Sequence, residues 1–285
     1  MLVVDDLAVF AAPPGGSAVT VGAYDGVHVG HQRLIARLRD VAAARGLATG
    51  VVTFDRHPAL VVRPDSAPKL LTDLDTKLEL LAATGVDYTV VVHFDTERSH
   101  EPAEDFVRSV LVAPLAARVI AVGRDFHFGH NREGNVAFLE RLGPSLGFEV
   151  IPVDLVDEGD GTGTKVSSTR VRTALAEGDV VTAALLLGRL HMVRGTVADA
   201  GDGHVSLVVP RDICLPADGA YAGWFCTGAD RVPAALVVCG DRPVEARLLG
   251  EEPPAPDGWA TTEFAAPIAD GGTEAVLEAL RGASR

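Results

Sequence analysis

The sequence predicts an α/β fold, in which a parallel sheet with helices on both faces is followed by a smaller, mainly β domain. Through residue 187, apolar runs rich in β-branched residues alternate with segments of helical periodicity, which is typical of a parallel sheet covered on both faces. From 188 to 285, short strand-like runs are separated by Gly, Pro and Asp turns, as in a small barrel. A chain of 285 residues is long enough for these two domains.

In the first domain, five strands are predicted with helices between them. Each strand is a short apolar run, and the helices carry apolar residues three or four positions apart. The first helix shows this spacing at Leu34, Leu38 and Val41, and Gly46 follows as a terminating residue. The predicted strands are 17–24, 47–55, 86–94, 117–123 and 148–156, and the predicted helices are 30–46, 73–85, 101–115, 134–147, 167–178 and 179–188.

The second domain is predicted from β runs alone until its last residues. Its Pro-rich segment at 250–258 is typical of a surface loop. The strand-like runs are 191–210, 219–228, 231–240 and 242–250, and the predicted C-terminal helix is 273–285.

The charge balance and cysteine content restrict the partners and the compartment. The chain has 39 acidic and 25 basic residues and a net charge of -14, which argues against a nucleic-acid surface because such a surface needs a basic patch. Three cysteines without a CxxC pair indicate reduced core thiols. The sequence shows neither a signal peptide nor an apolar run long enough to span a membrane. We expect a cytoplasmic protein without nucleic-acid or membrane partners, and the sequence leaves its oligomeric state open.

The stretch "TVGAYDGVHVGHQRLIARL" places two histidines three residues apart where a predicted strand gives way to a helix. The N–H groups at a helix start and the positive end of the helix dipole attract a phosphate. Glycines let that phosphate approach the backbone closely, and His28 and His31 can reach the same volume. Imidazole donors suit a transition state with negative charge on a transferring phosphoryl group. The alternative is a pair of surface histidines beside a glycine-rich turn.

This stretch and four further segments, in order, resemble one family. "VGAYDGVHVGHQRLI" closely resembles the GxFDGVHxGHQ signature of bacterial FAD synthetases, which belong to the HxGH nucleotidyltransferase superfamily. "VVTFDRHPALVV" is similar to that family's TFDPHP segment, and "GVDYTVVVHFD" followed by "EPAEDFV" is similar to its middle region. "VGRDFHFGHNREG" resembles its GxDFxFG loop, and "KVSSTRVRTALAEG" resembles its SSTxxR segment.

The resemblance implies a Rossmann-like nucleotidyltransferase domain over 1–187 and a riboflavin kinase-like barrel over 188–285. It implies transfer of AMP from ATP to the phosphate of FMN, with Mg²⁺ accompanying ATP. The residues that it implies in catalysis are His28, His31, Ser168, Thr169 and Arg172. Those that it implies in nucleotide or flavin binding are Gly22, Ala23, Tyr24, Asp25, Gly30, Asp55, His57, Asp125, Phe126, Phe128, Lys165 and Ser167.

Physical reasoning gives these implied residues separate tasks. The α-phosphate of ATP would lie over the turn at Gly30, where the two histidines stabilise the charged phosphorus. The serine run at 167–169 would cap a helix that binds phosphate, and Arg172 would face the leaving group. An ordinary N-cap is the alternative for that run, and core packing is the alternative for one of the two phenylalanine rings. Asp55 and His57 would line the exit of the second strand.

Three positions depart from the family pattern. Ala23 stands where the family has Asn or Thr, so a polar contact near the nucleotide phosphates is missing. Arg56 replaces the usual proline, and Lys165 stands where an Arg or an Ile-containing segment is common. Two alternative functions therefore stay open. The first is a paralogue that acts on a different phosphate ester, and the second is a catalytically idle flavin- or nucleotide-binding protein.

The second domain departs further from its kinase relatives. "LPADGAYAGWF" and "RPVEARLL" resemble two kinase strands, and the resemblance places Glu245 where the kinase has its base. However, the GFPTAN segment that holds Mg²⁺ and ATP has no match, since the chain has "VSLVVPRDICLP" there. We therefore expect a degenerate domain without riboflavin kinase activity. The alternative is that Asp212 takes over the metal, because a carboxylate is a competent Mg²⁺ ligand.

Overall fold

The computed structural model describes residues 1–154, 166–228, 230–240, 242–250, 258–269 and 272–283. The chain forms two compact units, Met1–Pro68 with Leu74–Val166, and Lys69–Asp73 with Ser167–Arg285. The division precedes Ser167, ahead of the boundary expected at residue 187, so the two helices that follow the sheet belong to the second unit.

Strands and helices alternate along the first unit, as the sequence predicts. A π-helical segment, Val107–Val112, directly continues the fifth helix. The elements are β1 (Leu2–Val4), β2 (Ser17–Val21), α1 (Val29–Arg45), β3 (Ala48–Phe54), α2 (Ala59–Val62), α3 (Leu74–Ala83), β4 (Tyr88–Val92), α4 (Thr96–Ser99), α5 (Ala103–Phe106), β5 (Ala117–Gly123), β6 (His127–Phe128), β7 (Gly134–Asn135), α6 (Val136–Leu146) and β8 (Glu149–Val153).

Six of these strands form one sheet in the order β1-β4-β3-β2-β5-β8, and its described pairs are all parallel. Both faces are covered, because alternate residues of β5 belong to different cores. Val119 and Ala121 pack with α1, whereas Ile120 and Val122 pack with the π-helical segment. The predicted parallel sheet is confirmed, and β1 is a short edge strand that the sequence analysis did not anticipate.

The order of the sheet reverses between β2 and β5, since the chain continues from β2 to β3 on one side and from β5 to β8 on the other. In open α/β sheets, ligands bind beyond the carboxyl ends of the strands at such a point. The segment that leaves β2 here is residues 22–28, which lead into α1. The fold therefore places the paired histidines at the edge of the sheet where a ligand is expected.

The second unit contains a closed six-stranded antiparallel barrel. Val276 and Leu280 of its last helix pack against buried alanines of the barrel. The predicted barrel is confirmed, with an additional strand at Trp259–Ile268. Its elements are α7 (Ser168–Ala176), α8 (Val180–Leu187), β9 (His191–Gly201), β10 (His204–Val208), β11 (Gly219–Thr227), β12 (Asp230–Val238), β13 (Val244–Leu248), β14 (Trp259–Ile268) and α9 (Thr273–Ala283).

Candidate active site

The turn between β2 and α1 is an irregular segment that leads into a long helix. Tyr24, Gly26 and Val27 take φ angles of 51°, 79° and 38°. A positive φ is unfavourable for a β-branched residue, and Val27 is only 1% exposed, so packing holds the turn in place. Because α1 spans 17 residues, its first N–H groups and its positive dipole end form an anion site at the carboxyl edge of the sheet.

His28 and His31 lie together in the first turn of α1. His28 is the N-cap residue, and its Nδ1 accepts a hydrogen bond from the backbone N–H of His31 at 3.3 Å. Because Nδ1 accepts, the neutral His28 ring carries its hydrogen on Nε2. The two rings are stacked, with centroids 3.6 Å apart and planes 14° from parallel. The structure thus brings together the two histidines that the sequence assigns to one phosphoryl group.

Two glycines of the motif leave room for neighbouring rings. A Cβ on Gly30 would lie 3.2 Å from Cε1 and from Nδ1 of His28. A Cβ on Gly22 would lie 3.1 Å from Cε2 of Tyr24. Both glycines therefore have a packing role in addition to the close phosphate approach predicted from the sequence.

Tyr24, which the family resemblance places among the ligand-binding residues, is a core residue. It is 1% exposed, its hydroxyl group is hydrogen-bonded to Thr20 Oγ1 at 2.7 Å, and burial raises its pKa. Its ring centroid lies 4.8 Å from that of His31. The ring therefore supports His31 from the core side.

Lys77 is a buried charged residue at the same edge of the sheet, and it is not among the site residues expected from the sequence. Its Nζ donates to the carbonyl oxygens of Phe54 at 2.8 Å and of Ala23 at 3.5 Å. Burial lowers the pKa of Lys77 to about 8, although the charges of Asp25 and Asp55 act in the opposite direction. The signal in the sequence is its position four residues before the buried Leu81, which places it on the apolar face of α3.

Asp55 lies at the exit of β3, as predicted, and is held by its neighbours. Its Oδ1 accepts from the backbone N–H of Phe94 at 3.0 Å, and its Oδ2 lies 2.7 Å from Nδ1 of His93. Burial acts to raise the pKa of Asp55, but these hydrogen bonds and the charge of Arg56 outweigh it, so the pKa is lowered. Asp55 is therefore an anion at neutral pH. Nearby, His57 accepts from the backbone N–H of Ala59 at 3.1 Å.

The loop after β5 carries the predicted aromatic pair. The rings of Phe126 and Phe128 are stacked, with centroids 5.3 Å apart, and Phe128 also contacts Phe106 and Phe138. Both rings are partly buried against the core, and Asp125 is exposed. The loop therefore has one packed side and one side that solvent reaches.

The serine-threonine run begins α7 in the second unit. Ser167 is the N-cap, and its Oγ accepts from the backbone N–H of Arg170 at 3.3 Å. Ser168 and Thr169 are the first two helical residues. Within the same unit, Arg172 donates from Nε to the carbonyl oxygen of Lys69 at 2.6 Å. The helix cap predicted from the sequence is present, while Lys165 lies outside the described residues.

The paired histidines at the start of the switch-point helix of a parallel sheet form a candidate phosphate site. The family model of FAD synthetase matches residues 11–170, which is more than half of the chain. The chain therefore belongs to the FAD synthetase family, and it is a nucleotidyltransferase.

The alignments with curated relatives are longer than the first unit, so they extend into the second. The bifunctional riboflavin kinase/FMN adenylyltransferase of Escherichia coli strain K12 is 36% identical over 217 residues, which are 74% of this chain and 68% of the relative. The protein of the same name from Listeria monocytogenes is 35% identical over 215 residues, which are 73% of this chain and 67% of the relative. That of Pseudomonas fluorescens is 38% identical over 182 residues, which are 64% of this chain and 57% of the relative.

A solved structure resembles the whole chain. The crystal structure of a macrolide-efflux protein from Streptococcus pneumoniae has a TM-score of 0.79 and covers 99% of this chain and 96% of its own. Its sequence identity is 23%, so this likeness concerns the fold alone. Among the helices that the structure describes, none has the length and apolar character needed to cross a membrane.

Proposed function

We propose that the chain transfers the AMP of ATP to the phosphate of FMN, forming FAD and releasing pyrophosphate. The observation that carries the proposal is the stacked pair of His28 and His31 at the start of α1, in a chain of the FAD synthetase family. In the reaction, an FMN phosphate oxygen forms a bond to the α-phosphorus of ATP. The bond between that phosphorus and the bridging oxygen of pyrophosphate breaks.

Charge stabilisation accounts for most of the proposed catalysis. Negative charge spreads over the oxygens of the α-phosphoryl group in the transition state. The N–H groups of Val29 and Gly30, the first two residues of α1, and the Nε2–H of His28 are donors that the fold fixes before the reaction begins. The FMN phosphate is already an anion, so no residue has to remove a proton from the nucleophile. Positioning of the two substrates accounts for the rest of the proposed rate enhancement.

Mg²⁺ is proposed to enter bound to the phosphates of ATP. The described part of the chain contains no group of three His, Cys, Asp or Glu side chains arranged to hold a metal ion. Mg²⁺ is usually held by one or two carboxylates together with substrate phosphates. Mg²⁺ bound with ATP would neutralise charge on the departing pyrophosphate.

We further propose that the second unit does not phosphorylate riboflavin, although the curated relatives are named as bifunctional. Glu245, at the position of the kinase base, is exposed on β13, and its Oε2 accepts from Ser206 Oγ at 2.6 Å. The sequence "VPRDI" at 209–213, in place of the kinase's PTAN loop, has neither the Thr nor the Asn of the kinase metal site. Without a positioned metal and phosphate, a base alone does not support transfer.

A single incubation tests the transferase proposal. Purified protein with ATP, FMN and Mg²⁺ is expected to form FAD and pyrophosphate in equal amounts, as measured by chromatography and a pyrophosphate assay. The matched control is His28→Ala/His31→Ala, which should slow FAD formation on the order of 100-fold or more and leave the fold intact. Absence of FAD with the folded wild type would contradict the proposal. A panel of nucleotides and phosphate esters would then separate the paralogue from an idle binding protein, because only the paralogue releases pyrophosphate.

A further inference from the structure

A lysine that the proposed mechanism does not use is buried beside the histidine turn. Lys77 is 7% exposed, on a face of α3 that also carries Leu81. Leu81 packs in a cluster with Tyr24 and Val27, two residues of the turn that precedes His28. The helix face that holds Lys77 therefore supports the catalytic turn directly.

The ammonium group of Lys77 joins the ends of two neighbouring strands. Phe54 is the last residue of β3, and its carbonyl oxygen accepts from Nζ at 2.8 Å. Ala23 follows the end of β2, and its carbonyl oxygen lies 3.5 Å from Nζ and also accepts from Thr53 Oγ1 at 3.2 Å. These bonds connect the turn to β3 through a charged donor, which makes a stronger hydrogen bond than a neutral one.

Burying a lysine is costly, and the surroundings offset only part of this cost. The pKa of Lys77 falls to about 8 because burial outweighs the charges of Asp25 and Asp55. A methionine of similar length would fill the same space without that penalty. A charged residue buried at such a cost is a candidate for a functional role.

We propose that Lys77 is a positioning residue for the nucleotidyl transfer, because its ammonium group ties the carbonyl ends of β2 and β3 together and fixes the turn that presents His28. This inference rests on the proposed function. Lys77 acts through backbone carbonyl groups, so it orients the donors around the α-phosphoryl group rather than touching the substrates. Its loss should therefore lower kcat with little change in the KM values for ATP and FMN.

The test compares Lys77→Met and Lys77→Gln with wild type, and uses Glu79→Gln as the matched control on an exposed position of α3. Melting temperatures establish folding. We expect kcat to fall about tenfold or more in both lysine variants, KM values to stay within about threefold, and the control to match wild type. Hydrogen exchange by mass spectrometry should show faster exchange across residues 22–31 in the lysine variants and unchanged exchange in the barrel.

These readouts separate the two proposals. A wild type that forms no FAD contradicts the proposed function, and the exchange measurement still decides the role of Lys77. Folded lysine variants with wild-type kcat and wild-type exchange across the turn would overturn the inference. Failure of both variants to fold would also overturn it, because the ammonium group would then be needed for folding itself. Lys77→Arg, which keeps a charged donor, should recover more kcat than either neutral variant.

Discussion

His28 and His31 stack with ring centroids 3.6 Å apart, and the backbone N–H of His31 donates to Nδ1 of His28. The stack connects the two rings, and the hydrogen bond ties the His28 ring to the backbone of His31, so a change at one residue disturbs the other. Groups coupled in this way contribute non-additively to catalysis. The pair is therefore expected to act as one catalytic unit.

Removal of either imidazole should slow turnover strongly. We expect His28→Ala and His31→Ala each to lower kcat on the order of 100-fold or more, the scale for losing one donor to a charged transition state. Because of the coupling, the double variant should be little slower than the slower single variant. Steady-state FAD formation measures this effect, with His100→Ala as an exposed control. Rates within a few-fold of wild type for both single variants would show that the pair is not catalytic.

A methyl group at Gly30 tests the packing around His28. Its Cβ would lie 3.2 Å from two atoms of the His28 ring, so the ring has to shift. Gly30→Ala should therefore lower kcat and preserve or raise the melting temperature, since alanine favours a helix more than glycine does. Gly46→Ala is not a suitable control, because Gly46 has a φ of 65°. Unchanged kcat in Gly30→Ala would show that the ring position tolerates displacement.

Ala23 provides a test of nucleotide binding. The missing polar contact should weaken ATP binding more than it slows the chemistry, so Ala23→Asn is expected to lower the KM for ATP with nearly unchanged kcat. The backbone carbonyl of Ala23 keeps its bonds to Thr53 and Lys77 in this variant, so the turn should be retained. If Ala23→Asn abolishes activity, the space is occupied by a substrate larger than the family's usual one.

The sequence was sufficient for much of the fold because the parallel strands are continuous apolar runs. The first helix, predicted over 30–46, is observed at Val29–Arg45. β14 was missed because its pattern contains Thr and Glu, and its inward-facing Thr262 is fully buried. β1 was missed because three residues form a strand only through pairing with β4. Such pairings depend on distant residues and leave little local signal.

Prediction of the site from the sequence is limited in the same way, because contacts between distant residues leave little local signal. Paired histidines beside glycines are recognisable in the sequence, but the partners of Lys77 are backbone carbonyl groups, which every residue possesses. A lysine on a helix is ordinarily expected in solvent, and only the fold brings it to Ala23 and Phe54. Tyr24 shows the opposite case, because its place in the motif suggested a ligand contact, and its hydroxyl group is hydrogen-bonded to Thr20 inside the core.

Acid should destabilise the second unit through His191. This residue is 1% exposed, its Nε2–H donates to the carbonyl oxygen of Cys214 at 2.8 Å, and burial lowers its pKa to about 4. The unfolded chain, with an ordinary histidine pKa near 6.5, binds the proton more readily. The stabilising effect of neutral His191 is therefore present above about pH 6.5 and is lost as pH falls toward 4, by about 1.4 kcal/mol per pH unit.

Tryptophan fluorescence can follow this effect, because both tryptophans of the chain, Trp224 and Trp259, lie in the barrel. Urea unfolding between pH 7 and pH 4 gives the stability of the second unit. His191→Gln, which keeps an N–H donor, should show a flatter pH dependence, and the exposed His204→Gln should follow wild type. Equal slopes for wild type and His191→Gln would show that another group causes the acid sensitivity.

Riboflavin should not be phosphorylated by this chain. Transfer requires Mg²⁺ and the terminal phosphates of ATP in line with the acceptor hydroxyl group, and the residues that supply those contacts in the kinase family have no match here. The assay uses riboflavin, ATP and Mg²⁺ at high protein concentration in the His28→Ala/His31→Ala background, which slows conversion of FMN to FAD, and FMN and FAD are counted together as product. Ser206→Ala, which releases Glu245 from its 2.6 Å hydrogen bond, should also produce no FMN. An active kinase would be established if FMN forms above the level without protein and this formation is lost in Glu245→Ala. If FMN formation is also lost in Asp212→Ala, that carboxylate is the substitute metal ligand.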